Sequence, residues 1–108
     1  MTRKRILQIE RRIEAIKAKL AAIDEMRPGS LTRQYKDPEN QKGAYYQISY
    51  TREMRSRTEY VAGDAVRDVR RQIANYKRFK ELTAEWIDLG IEHSRLKIKL
   101  AREAETSR

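Results

Sequence analysis

The chain has no cysteine, one histidine, one tryptophan and one phenylalanine, and only four glycines and two prolines in 108 residues. Without cysteine there is no disulfide framework, no thiolate zinc site and no thiol nucleophile. A single imidazole removes most metal and acid–base templates, and no Ser or acid triad can be assembled around it. The glycines and lysines form no phosphate-binding loop. A non-enzyme with neither cofactor nor metal is the expectation. So little Gly and Pro also argues against the many tight turns of a sandwich or barrel. No apolar run approaches the ~18–20 residues that cross a bilayer. Met1-Thr2-Arg3-Lys4-Arg5 begins like a leader peptide, but Glu10, Arg11 and Arg12 interrupt any apolar core after it. A cytoplasmic chain with no membrane partner is expected.

What is abundant is charge. Lys and Arg number 25 against 16 Asp and Glu, a net charge of +9, and charged residues make up 38% of the chain beside 39% hydrophobic. That mixture is too apolar for disorder and suits long helices. The surplus favours a polyanionic partner, nucleic acid first. The size allows one small domain with one modest core.

Three segments differ in period. Ile6, Ile9, Ile13, Ile16, Leu20 and Ile23 recur at alternating steps of three and four, which predicts a heptad-seamed helix over 2–26, capped by Thr2 and ended by Arg27-Pro28-Gly29. The middle, 30–62, switches to β-formers. Tyr45 to Thr51 and Ser56 to Val61 read as a hairpin turning at Glu53-Met54, which sets Tyr50 opposite Arg57, Ile48 opposite Glu59 and Tyr46 opposite Val61. Leu31 to Tyr35 can add a third strand, with Lys36 to Gly43 as a loop. A long helix over 64–104 follows, N-capped by Asp64, with Val66, Val69, Ile73, Tyr76, Phe79, Leu82, Trp86, Leu89, His93, Leu96 and Leu100 along one seam. Gly90 inside it suggests close helix packing. The fold class is α+β, mainly α: an antiparallel helical coiled coil with a two- or three-stranded antiparallel hairpin sheet between its helices.

At 1.5 Å per residue the second helix is roughly 60 Å long and the first about 36 Å. With both starting at the sheet, Ile6 falls near Leu82 to Trp86. Trp86, Leu89, Ile91, His93, Leu96, Ile98 and Leu100 are then left for a second chain, and a homodimer is the simplest completion. Arg5, Arg12 and Lys19 flank one seam while Glu85 and Glu92 flank the other, so opposite charges are expected to set register between chains. Glu81, Glu85, Asp88 and Glu92 form an acidic stripe that helix pairing explains better than a metal does.

Met26-Arg27-Pro28-Gly29-Ser30-Leu31, Gln41 to Tyr50, Ser56 to Val61 and Arg71 to Phe79 together resemble a bacterial and archaeal family of small proteins of unknown function, often found beside transposase genes. The resemblance implies a mobile-element context and supplies no catalytic residue. Many relatives carry a cysteine-rich stretch after the first strand, where this chain has Lys36 to Lys42. Any metal-stabilised turn of those relatives therefore has no counterpart here.

Two groups are candidates for ligand binding. Arg67, Arg71 and Arg78 lie within about 40° on a helix, with Arg70 and Lys77 on an adjoining flank, and such rows can follow phosphates. Arg70 is also within reach of Asp24. A solvated helix face is the plain alternative. In the hairpin, Tyr45 and Tyr50 alternate with Arg52, Arg55 and Arg57, and Arg33 lies just before. Tyrosines can stack on bases while arginines bind phosphate. Packing of Tyr46, Ile48 and Val61 on the helices is the alternative for that face. The expected function is a non-catalytic, dimeric nucleic-acid-binding accessory protein, DNA being favoured over RNA. The other reading is an adaptor whose long helix joins a transposase or similar enzyme.

Overall fold

A computed structural model describes residues 1–107. Helix α1 covers Thr2–Ala21; strands β1 (Ser30–Asp37), β2 (Lys42–Arg52) and β3 (Arg55–Val61) follow; a short 3-10 turn, Gly63–Ala65, leads into α2 (Val66–Thr106). The fold is mixed and mainly helical, with a three-stranded antiparallel sheet in the order β1-β2-β3. The chain divides into two compact units, one formed by Met1–Ile23 and Phe79–Arg108, the other by Asp24–Arg78.

In the sheet unit, β2 and β3 pair in the register that the residue pattern predicts, with Tyr50 opposite Arg57, Ile48 opposite Glu59 and Tyr46 opposite Val61. The Glu53-Met54 turn places both residues at positive φ, 53° and 65°. A two-residue hairpin of this primed type matches the twist of its strands. The first strand runs further than Leu31 to Tyr35, pairing from Ser30 with Ser49 to Asp37 with Lys42. Ile48, Val61 and Val69 form the core, with Leu31, Tyr46, Val66 and Ile73 packed around them. One face of the sheet thus rests on the first turns of α2.

Helix α1 stops at Ala21 rather than near Met26. Asn75 donates to the Asp24 carboxylate at 2.7 Å and to the Glu25 carbonyl at 2.8 Å, while Arg71 holds the Glu25 carboxylate at 2.7 Å. The Arg27 N–H donates to the Gln72 carbonyl at 3.2 Å. These bonds compete with continued helix, and Pro28 biases the residue before it away from helical geometry. Thr2 lies inside α1, and no side chain caps that helix. Asp64 lies within the 3-10 turn and likewise makes no capping bond.

In the helical unit, α1 and α2 run antiparallel. Arg5 grips Glu92 with two N–H donors at 2.7 and 2.9 Å, and Arg12 grips Glu85 in the same forked way. Ile9 and Ile16 are fully buried and Leu82 nearly so. The expected placement of Ile6 beside Leu82 to Trp86 is therefore wrong by more than one turn, since Arg5 already lies at Glu92 and Ile6 shares a cavity with Leu100. Asp24 to Arg27 are held against α2 instead of continuing α1, and α1 meets α2 at Glu85 and Glu92.

The expected overhang is correspondingly short. Trp86, Leu89, His93, Leu96 and Leu100 are half-buried in this unit rather than left for another chain. Lys17 lies over the Trp86 ring, and His93 Nε2 is 2.9 Å from Glu10. The Arg5 and Arg12 flank pairs with Glu92 and Glu85 within the chain, not between chains. Ile91 and Ile98 stay exposed. Gly90 serves no close approach within the chain, because a Cβ there would meet nothing within 4 Å.

The forked bonds from Arg12 and Arg5 hold the Glu85 and Glu92 carboxyls below their ordinary value of 4.5. A depressed acid stabilises the fold fully above its unfolded pKa and loses that contribution as pH falls through its folded pKa. The helix pair is therefore expected to weaken as pH drops below about 4.5. Thermal melts followed by circular dichroism at neutral and acid pH test this, and a Glu85→Gln/Glu92→Gln variant should show a flatter dependence.

Candidate functional site

The first turns of α2 have three environments. Val66, Val69 and Ile73 face the sheet. On another side, Arg71, Gln72 and Asn75 hold the segment from Asp24 to Arg27. Between them, at 100° per residue, Arg67, Arg70, Lys77 and Arg78 occupy an arc of about 100°. All four are exposed. None has an acidic partner among the described residues.

Arg71 does not belong with them. Its guanidinium is within 2.7 Å of Glu25, 3.2 Å of Asp68 and 3.6 Å of Asp24. Three carboxylates on one cation leave no net positive charge for a ligand. Arg71 fastens the interhelix segment, and Asp24 meets Arg71 and Asn75 instead of Arg70. Arg70 lies over the Tyr46 ring at 5.7 Å. Arg33, over Tyr35 at 5.4 Å, is the residue of β1 opposite Tyr46. Tyr46 therefore brings Arg33 and Arg70 to one place, joining the sheet edge to the cationic flank of the helix.

The hairpin residues separate into two groups. Arg52 is directly opposite Arg55, and Arg57 is opposite Tyr50. Like charges facing each other across a sheet repel, yet no carboxylate pairs with these three among the described residues. Arg57 lies about 13 Å along the sheet from Tyr46, and Arg52 and Arg55 about 20 Å, so the three form a second patch. Tyr50 is not a free stacking surface. Its hydroxyl donates to Glu59 at 2.9 Å, and Arg27 covers its ring at 5.0 Å.

Tyr45 is on the other face of the sheet, where it lines an open depression with Lys36, Gly43 and Tyr60. That face is polar: Ser49 bonds Thr58 at 3.2 Å and Thr51 bonds Ser56 at 3.1 Å. Lys36 escapes a reading that assigns it to a loop. The strand extends through it, and two-residue periodicity then puts it on the Tyr45 face.

A family model for a domain of unknown function, DUF6788, matches residues 6–71, and the chain belongs to that family. The match takes in α1 from Ile6, the whole sheet and the opening of α2, including Arg67 and Arg70 but not Lys77 or Arg78. Comparison with curated proteins and with solved structures finds no match for the chain.

Proposed function

We propose that this protein binds nucleic acid without catalysing a reaction on it, through the cationic flank of α2. One observation carries the reading: Arg67, Arg70, Lys77 and Arg78 share an exposed arc in which no carboxylate pairs with them among the described residues, while Arg71 beside them is fully paired. Guanidinium and ammonium groups spaced along a helix neutralise successive phosphates and release their counterions. Arg33 extends the track onto the sheet edge, and the Arg52, Arg55 and Arg57 patch offers a second hold. DNA duplex is the favoured ligand, since both a helix and a two-stranded ribbon fit its major groove. The resemblance to transposon-associated proteins makes a mobile-element accessory role the matching context.

The test is binding to duplex and single-stranded oligonucleotides over a range of salt. The four helix cations alone contribute about −3.6 to the slope of log K against log salt on duplex DNA, at about −0.9 per contact. Arg67→Ala/Arg70→Ala/Arg78→Ala should make the slope shallower by about 2.7 and weaken low-salt binding tenfold or more. Arg71→Ala should leave the slope unchanged. No affinity at low salt, or an unaltered slope in the triple variant, overturns the assignment and leaves the protein-adaptor reading.

A further inference from the structure

The distal half of α2 carries a second heptad seam that α1 does not cover. Ala84, Ile87, Ile91, Ser94, Ile98 and Ala101 alternate in steps of three and four, about 150° around the helix from the Leu82–Leu100 seam at 100° per residue. Every one of them is exposed, and the three isoleucines are 63%, 48% and 51% accessible. A regular apolar stripe of this kind marks an interface.

The charges beside the stripe identify its occupant. Along one flank, at seven-residue intervals, stand Glu81, Asp88, Arg95 and Arg102. All four are exposed, and none forms an ion pair among the described residues. Two acids followed by two bases make an order that is its own complement when reversed. If an identical helix lies antiparallel, Glu81 meets Arg102 of the second copy and Asp88 meets Arg95, each pair occurring twice. The same shift layers Ala84 on Ala101, Ile87 on Ile98 and Ile91 on Ser94, so apolar and charged registers coincide. The opposite flank offers no conflict, because Lys97 then faces Gly90, where a Cβ would find open space within the chain. A parallel pair loses all four ion pairs and sets Lys97 against Arg102.

We infer that this face of α2 binds a second copy of the chain, antiparallel, about a twofold axis between Ile91 and Ser94. The inference does not depend on nucleic-acid binding. It also divides the acidic stripe: Glu85 and Glu92 hold α1, while Glu81 and Asp88 hold the other copy.

Sedimentation equilibrium of the full chain at about 100 μM in low salt is expected to show a dimer. Arg95→Glu/Arg102→Glu makes every flank position acidic and should raise the dissociation constant about tenfold or more. Adding Glu81→Arg and Asp88→Arg to it reverses the whole pattern and should restore dimerisation. Orientation is read with single cysteines in this cysteine-free chain. Ala84→Cys mixed with Ala101→Cys should oxidise to the mixed disulfide, and neither variant alone should cross-link. A monomeric wild type, a charge-reversed pair that dimerises as well as wild type, or cross-linking of Ala84→Cys to itself overturns the proposal. These positions are exposed, so a change in helix content on substitution would also count against it.

Discussion

Replacing Gly29 with alanine is expected to destabilise the sheet unit by about 2–5 kcal/mol, from backbone strain and overpacking together. Gly29 has φ of +146°, a region that L side chains rarely adopt. A Cβ there would stand 2.7 Å from both Cγ1 and Cδ1 of Ile48, and 3.3 Å from the Ser49 carbonyl oxygen. Ile48 cannot withdraw, because it is fully buried at the centre of the core formed with Val61 and Val69. A close-packed interior transmits such an overlap rather than absorbing it. Thermal unfolding should fall by about 10 °C or more, at roughly 4–8 °C per kcal/mol for a domain of this size. Gly90→Ala is the contrast. No atom lies within 4 Å of the added carbon, and a helical Gly-to-Ala change gains up to ~1 kcal/mol. A Gly29→Ala variant as stable as the parent would mean that the Gly29–Ile48 approach does not exist.

The second large effect lies in the helical unit. Ile16 has no exposed surface, and Ile16→Asp would put a carboxylate in the apolar seam between the helices. The cost is expected to exceed about 4 kcal/mol, enough to unfold the helix pair of a marginally stable protein. Circular dichroism should show lost helix content at neutral pH and cooperative melting abolished or displaced far downward. Ile87→Asp makes the same chemical change on α2. Ile87 is 63% exposed, so the folded monomer should lose no more than about 0.5 kcal/mol. Its consequence should appear in self-association instead. If the two variants melt alike, the assignment of Ile16 to the core and Ile87 to an open face fails.

Much of the local structure is legible in the residues because it depends on short-range rules. Alternation around Glu53-Met54 is enough for the β2–β3 register, since in a hairpin the turn sets every pair. The heptad steps from Ile6 to Leu20 locate α1 and its buried edge. The charge partners Arg5 with Glu92 and Arg12 with Glu85 are visible as complementary flanks, although whether they meet within one chain or between two is not. Helix ends are less legible. Nothing in Ala22 to Met26 breaks a helix by propensity, and α1 stops early because Arg71, Gln72 and Asn75 compete for that backbone and its carboxylates.

That competition decides most of what sequence periodicity leaves open. The residues alone determine a basic, cysteine-free chain of two apolar-seamed helices around a tyrosine- and arginine-rich sheet, because composition and period are properties of neighbours along the chain. Tertiary structure alone decides that Arg71 is paired with three carboxylates while Arg70 stacks on Tyr46 and meets none, that α1 reaches Leu100, and that the open seam of α2 runs through Ile87, Ile91 and Ile98. Those outcomes follow from contacts between residues more than forty positions apart, such as Glu25 with Arg71 and Arg5 with Glu92, and no local pattern encodes them.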